Sequence, residues 1–211
     1  MMNKLKNIGI IPVDFSVLRS IFSHLASPRN KVALLEKSGQ LVRLKRGLYV
    51  VSPTVSGVIL STELIANHIY GPSYVSMESA LRFYGLIPES VYAVRSMTIK
   101  RSQNFENSIA RFDYTQCGAD YYSIGIQQVT KDNHTFLIAT PEKALCDLIA
   151  YTPKLNPRFI NSMRTYLEED LRLDMEQFYK MDIEIFRKCA KVGKKSAEIN
   201  NIIKILENES I

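Results

Sequence analysis

One stretch, residues 27–51 (SPRNKVALLEKSGQLVRLKRGLYVV), constrains the fold of this 211-residue chain more than any other. Ser27 is a good helix N-cap, and Pro28 suits the first helical position, where a missing N–H costs no hydrogen bond. The helix that follows should end at Gly39, a residue that readily adopts the left-handed conformation found after helices. The remaining residues alternate in polarity around a Lys-Arg-Gly turn at 45–47, which predicts a strand, a tight turn and a second strand.

A further helix is predicted just before this stretch. Residues 14–25 (DFSVLRSIFSHL) carry apolar side chains at helical spacing, and Asp14 is available as a cap. Two helices across a short turn, followed by a small hairpin, are the parts of a winged helix-turn-helix. The Pro-, Ser- and Gly-containing segment 52–57 (SPTVSG) then predicts a domain boundary, so this first domain is assigned to residues 1–54.

The distribution of charge also distinguishes the N-terminal segment from the rest of the chain. Residues 1–60 hold nine Lys or Arg and two Asp or Glu, a net charge of +7. The rest of the chain holds eighteen basic and nineteen acidic residues, a net charge of −1. A basic module attached to a neutral body is typical of a protein that binds a polyanion.

The remainder of the chain mixes helix and strand patterns. Helices are predicted around residues 61–70 and from Tyr74 to Gly85. Alternating stretches predict strands at 91–100, 108–115, 121–129 and 135–139, the last two joined by a hairpin turn at 131–134. Thr140 should cap the next helix, and residues 159–209 have a helical pattern, interrupted near Leu173 and at Gly193.

The predicted fold class is therefore α+β. A winged helix-turn-helix (residues 1–54) is followed by an α+β domain (residues 55–211) that contains a small, mainly antiparallel sheet and a helical C-terminal tail. No segment has the length of a membrane span, and the first residues lack a signal-peptide core, so we expect a cytoplasmic protein with no membrane partner.

The predicted DNA-binding residues lie on the second helix and the hairpin. Arg29 can pair with guanine and Asn30 with adenine through the major groove. The cap Ser27, the flanking Lys31 and the exposed Lys37 complete the helix set, and Lys31 is expected to meet phosphate. The hairpin set is Arg43, Lys45 and Arg46, expected to contact the DNA backbone or minor groove.

Catalytic and metal-binding signatures are absent from the sequence. Cys117, Cys146 and Cys189 form no CxxC pair and no ligand spacing with the three histidines. No nucleophile elbow, phosphate-binding loop, HExxH or dinucleotide motif occurs, and the carboxylates of the strand region lack the spacing of a nucleotidyltransferase. We therefore expect a non-enzyme without a cofactor.

Three ordered blocks resemble the AbiEi family of antitoxins from type IV toxin–antitoxin systems. They are the stretch 27–51 quoted above, YGPSYVSMESALRFYGLIPE and FLIATPEKALCDLI, and the likeness spans roughly residues 12–150. The resemblance implies a regulator that binds inverted repeats in its own promoter and represses it. It also implies that the C-terminal part counteracts a nucleotidyltransferase-like toxin without forming a stable complex. The family supplies no residue-level motif for that second activity.

Other interpretations stay open. The chain could be a protein-interaction module whose winged helix no longer binds DNA, or a solitary regulator without a toxin. In the C-terminal blocks, Glu142 and Arg82 are weak functional candidates and Lys143 is expected to be solvated. The basic cluster of the tail is interpreted as a solvated helix face and comprises Arg187, Lys188, Lys191, Lys194 and Lys195. A palindromic operator would favour two copies of the chain on the DNA.

Overall fold

A computed structural model describes residues 5–88 and 92–209. Its strands are β1 (Val13–Asp14), β2 (Leu41–Lys45), β3 (Leu48–Val51), β4 (Ser73–Val75), β5 (Ala93–Thr98), β6 (Gln103–Glu106), β7 (Arg111–Gln116), β8 (Ile126–Lys131) and β9 (His134–Ala139). Its helices are α1 (Phe15–Ile21), α2 (Pro28–Lys37), α3 (Pro53–Ser56), α4 (Thr62–Ile69), α5 (Met77–Phe83), α6 (Ala119–Tyr122), α7 (Pro141–Tyr151), α8 (Ile160–Thr165), α9 (Met175–Phe178), α10 (Ile183–Val192) and α11 (Ser196–Glu209). A π-helical turn, Tyr166–Asp170, continues α8. The fold is α+β, as predicted.

The N-terminal module consists of α1, α2 and a three-stranded antiparallel sheet in the order β1-β3-β2. Leu18 and Phe22 lie one turn apart, as do Val32 and Leu35, and both pairs are buried because that spacing puts each on one helix side. They pack with Leu5, Leu41, Tyr49 and Val51 into a small core of their own.

The body is built on a six-stranded sheet in the order β6-β7-β5-β4-β9-β8. Antiparallel pairs (β6–β7, β4–β5, β8–β9) alternate with parallel pairs (β5–β7, β4–β9). The sheet is therefore larger than the small, mainly antiparallel one predicted, and it is mixed. The difference arises from two short strands: β4 falls partly in a predicted helix start, and β6 was not predicted.

Helices cover both faces of the sheet. Strand pairing puts Tyr74 of β4 on the opposite face from Tyr114 of β7, since Tyr74 pairs with Met97 and Tyr114 with the neighbouring Ser96. The Tyr114 hydroxyl donates to the carbonyl of Ala66 in α4, whereas the Tyr74 hydroxyl donates to Asp147 in α7. The sheet is therefore a central layer between α4 on one side and α7, with its neighbours α5, α10 and α11, on the other.

The hairpin β2–β3 belongs to both halves of the molecule. On β3, Tyr49 and Val51 face the N-terminal core, while Leu48 and Val50 join the core of the body. Every residue of β3 is buried as a result. Residues 52–57, predicted as a linker, contain α3 and a turn at Gly57, whose φ of +73° suits glycine. The module thus rests directly on the body.

Several local predictions are confirmed and some are wrong. Thr140 caps α7 through a 3.3 Å bond from the Lys143 N–H, and the turn at 132–133 has the positive φ angles of a tight hairpin turn. The first helix ends at Ile21, short of Leu25, and Asp14 makes no capping bond. In the described ranges, 5–88 and 92–209, no helix has the length and apolarity needed to cross a membrane.

Candidate nucleic-acid interface

Helix α2 begins and ends where the sequence predicts. The Ser27 hydroxyl accepts a 3.4 Å hydrogen bond from the backbone N–H of Asn30, and Pro28 occupies the first turn. The chain turns away at Gly39 with φ of +71°. Because Val32 and Leu35 are buried against the module core, the opposite side of the helix faces solvent.

The solvent side of α2 carries most of the predicted helix set. Arg29, Asn30 and Lys37 are exposed, while Lys31 is half-buried on the flank. Leu34 also lies on this surface with 61% of its area exposed, a feature that the sequence analysis did not single out. An exposed leucine among polar residues gives the helix an apolar group that could contact a thymine methyl.

A β-bulge separates the basic residues of the hairpin. Arg43 pairs with Tyr49, but Lys45 pairs with Leu48, so Leu44 is an extra residue on β2. The bulge puts Arg43 on the side of α2, where it contacts Glu36, and Lys45 on the side of the body. A regular strand would have put both side chains on one face.

Lys45 contacts the body of the protein. Its Nζ donates a 2.6 Å hydrogen bond to the carbonyl of Ile69 at the end of α4 and lies 5.9 Å from the centre of the Phe105 ring. The nearby Asn107 side chain donates to the carbonyl of Leu44. Among the predicted hairpin residues, Arg46 is exposed at the turn, whereas the Lys45 amine holds the hairpin against the body.

One flank of α2 and the outer side of the hairpin border a groove of about 490 Å³. Arg29 and Glu36 line it from the helix, and Arg43 and Arg46 line it from the hairpin. The remaining lining residues are Phe15, Val32, Ala33, Gly47 and Tyr49. Three arginines and one carboxylate thus face a groove with an apolar floor.

Arg43 and Glu36 form an ion pair across the groove. The Arg43 Nη2 lies 2.8 Å from Glu36 Oε2, and the two side chains are 53% and 29% exposed. The hydrogen bond and charge of Glu36 raise the pKa of Arg43 above its ordinary value. Its guanidinium also lies 6.0 Å from the centre of the Tyr49 ring.

A second hollow, of about 430 Å³, adjoins the start of α2. It is lined by Arg19 from α1 and by Arg29, together with Phe15 and residues 26–28. Arg19 is a basic residue that the sequence analysis missed. The available signal was that Arg19 directly follows the buried Leu18, since successive residues are about 100° apart around a helix. Its side chain is exposed.

The largest departure from the sequence analysis lies in the body. Lys143, expected to be solvated, has no exposed surface, and neither has Asp147 one turn later. The Lys143 Nζ lies 3.1 Å from Asp147 Oδ1, donates a 3.0 Å bond to the Tyr121 carbonyl and sits 3.0 Å from the centre of the Tyr121 ring. The prediction failed because α7 is buried on all sides by its packing neighbours.

The second oxygen of Asp147 is also occupied. Its Oδ2 accepts a 2.6 Å bond from the Ser76 hydroxyl and a 3.1 Å bond from the Tyr74 hydroxyl. Burial raises the pKa of Tyr74 and, together with the Asp147 charge, raises that of the Cys117 thiol to about 11. This buried network joins β4, α6 and α7, and its charged groups have no contact with solvent. We therefore assign it to structure.

The remaining candidates of the body have structural partners. The Glu142 carboxylate accepts a hydrogen bond from the backbone N–H of Asp182. In the tail cluster, Arg187 pairs with Glu184 and Glu207, and the Lys195 Nζ donates to the carbonyls of Thr152 and Leu155. Tyr121, predicted in a strand, is buried in α6. No group of three or more metal-ligating side chains occurs in the described part of the chain.

Comparison with known proteins adds no assignment. A scan against protein-family models finds no match to this chain, and a search of curated proteins finds none either.

Proposed function

We propose that the chain is an antitoxin-like transcriptional regulator whose residues 1–54 form a winged helix-turn-helix and bind inverted-repeat DNA in its own promoter. The observation that carries the proposal is the groove between α2 and the hairpin, where three arginines meet one carboxylate. The order β1, α1, α2, β2, β3 supports it, since two helices across a short turn next to a hairpin is the arrangement of such domains.

In the proposed complex, α2 lies in the major groove of B-DNA, which is wide enough for one helix. The exposed start of the helix brings Arg29 and Asn30 to the base edges, where they discriminate guanine and adenine. Ser27 acts through its cap, which fixes the first turn that carries them. Lys31 and Lys37 flank this face and meet phosphate.

The groove itself suits the sugar–phosphate strand next to the occupied major groove. Arg43 and Arg46 then contact phosphates from the hairpin side, and Arg19 extends the positive surface at the start of α2. Lys45 is left out of the DNA contacts in this proposal because its amine is bonded to Ile69. Each phosphate contact adds affinity that is independent of sequence and falls with salt.

The test is binding to the upstream duplex and to a scrambled duplex, measured by fluorescence anisotropy across a salt series. Arg29→Ala should weaken binding to the upstream duplex by about 1–3 kcal/mol and leave the scrambled duplex nearly unchanged. Arg46→Ala should weaken both and reduce the slope of log K against log salt by about 0.9.

Arg111→Ala provides the matched control, since it removes an exposed arginine from β7 of the body. It should change neither selectivity nor the salt slope. A wild-type protein that binds both duplexes equally at every salt concentration would contradict the proposal and favour a protein-interaction module.

The antitoxin part of the proposal is supported by the resemblance of the blocks around residues 70–89 and 136–149. It predicts that co-expression of the chain restores growth of cells that carry a neighbouring nucleotidyltransferase-like toxin. Arg29→Ala should restore growth equally when both genes are driven by an unrelated promoter, because this activity is assigned to residues 55–211. Failure of the wild type to restore growth would instead indicate a solitary regulator.

A further inference from the structure

Glu36 is an unexpected residue for a surface that binds phosphate. Among the nine described residues that line the groove, it carries the one carboxylate. Its Oε2 is 2.8 Å from the Arg43 guanidinium. Glu36 is therefore paired with a cation that a phosphate would otherwise contact. The pair spans the groove from helix to hairpin, because the two residues are on different elements.

The Arg43–Glu36 ion pair can open at little cost in free energy. Both side chains are partly exposed, and ion pairs of this kind contribute little to stability because water and salt screen them. A phosphate held close to Arg43 can therefore displace the carboxylate. The displaced carboxylate then remains near the phosphate, and the repulsion between the two charges lowers the gain from the new contact.

We infer that Glu36 is a specificity-determining residue that withholds Arg43 from DNA unless base contacts hold α2 deep in the major groove. On a non-cognate duplex, the protein lacks the contacts of Arg29 and Asn30, and keeping the Arg43–Glu36 pair costs less than exchanging it for phosphate. On the cognate duplex, the base contacts bring the strand into the groove and the exchange takes place. This inference rests on the proposed DNA-binding function.

A role of Glu36 in withholding Arg43 predicts a different salt dependence of binding on the two duplexes. The cognate complex should contain one phosphate contact more than the non-cognate complex, so the wild-type slopes of log K against log salt should differ by about 0.9. Glu36→Gln removes the carboxylate charge and leaves Arg43 available on both duplexes. The slope on scrambled DNA should then rise to the cognate value, and selectivity should fall about threefold.

Two controls separate this role from a general effect of charge. Asp113→Asn raises the net charge by the same amount and frees Arg111, a similarly exposed arginine paired at 2.9 Å in the body. It should leave the difference between the two slopes intact. The double variant Glu36→Gln/Arg43→Gln lacks the withheld cation, so its two slopes should both equal the lower wild-type value.

The same measurements distinguish failure of the inference about Glu36 from failure of the proposed DNA binding. If the wild type shows no preference for the upstream duplex, the DNA-binding proposal fails first. If the wild type is selective but its two slopes are equal, or Glu36→Gln behaves like Asp113→Asn, only the inference is overturned. A Glu36→Gln protein that loses affinity for the upstream duplex alone would show that the carboxylate reads a base directly.

Discussion

Two ion pairs in this molecule use the same chemistry in opposite surroundings. Arg43 and Glu36 meet at the surface of a groove, with 53% and 29% of their side chains exposed. Lys143 and Asp147 meet at 3.1 Å with no exposed surface at all. The carboxylate of the buried pair is further bonded by Ser76 and Tyr74, whereas the groove pair bridges two elements in contact with water.

The difference in surroundings indicates what each pair can do. A buried charge that loses its partner is costly because the interior solvates it poorly, so the Lys143–Asp147 pair must stay closed. An exposed pair can open at little cost, so the Arg43–Glu36 pair can exchange partners with a ligand. The proposed role in DNA binding therefore falls on the weaker of the two pairs.

The largest effect is expected at the buried pair. Asp147→Asn keeps an acceptor for Ser76 and Tyr74 but leaves the Lys143 charge without compensation, and should lower the free energy of unfolding by about 3–5 kcal/mol. Urea denaturation followed by circular dichroism measures it. Asp113→Asn, which breaks an exposed pair, is the control and should cost less than about 1 kcal/mol. Equal losses in the two variants would contradict the comparison.

A smaller loss is expected from the hydroxyl that supports the buried carboxylate. Ser76→Ala removes the 2.6 Å bond to Asp147 Oδ2, and hydrogen bonds to charged groups contribute about 1.5–3 kcal/mol. Binding to scrambled DNA should be unaffected, since the residue lies in the body. An unchanged midpoint of urea unfolding would show that Asp147 does not depend on this donor.

The hairpin has one face toward the body and one toward the groove, and Lys45 lies on the first. Lys45→Met removes the bond to the Ile69 carbonyl and should cost about 1 kcal/mol of stability, less than the bond to Asp147, because Lys45 is only half-buried. Its salt slope on scrambled DNA should equal that of the wild type, because the amine faces the body. A slope lowered to that of Arg46→Ala would mean that Lys45 leaves Ile69 and contacts phosphate.

The smallest effect on stability is expected at the groove pair. Glu36→Gln should change the free energy of unfolding by less than about 0.5–1 kcal/mol, since the exposed pair contributes little. The same variant is the one expected to change the salt slope of binding. A loss of several kcal/mol in the free energy of unfolding would show that this pair is as costly to break as the buried one. Arg43 could then not exchange Glu36 for a phosphate.

The sequence predicted those features that local chemistry determines. Ser27, Pro28 and Gly39 define α2 without help from the rest of the chain, and Thr140 does the same for α7. The hairpin turn at 132–133 was equally local. Such signals work because caps and left-handed turns depend on neighbours a few residues away.

The features that were missed depend on contacts between distant residues. From its neighbours in sequence, Lys143 was predicted to be a solvated helix residue. It is buried because α5, α10 and α11 pack against α7. Lys45 was predicted to belong to a basic turn that contacts DNA. The bulge at Leu44 instead turns its side chain toward the body. Strand β4 is three residues long, too short for a recognisable alternation, and exists because β5 and β9 flank it.

The position of β3 has a thermodynamic consequence for regulation. Its alternate residues belong to the two cores, so the hairpin cannot move relative to α2 or to the body without disturbing one of them. Under the proposed DNA-binding function, a partner that binds the body and favours one hairpin position would change the affinity for DNA. By reciprocity, DNA would change the affinity for that partner by the same factor. A metabolite or a second copy of the chain that binds the body would be subject to this linkage.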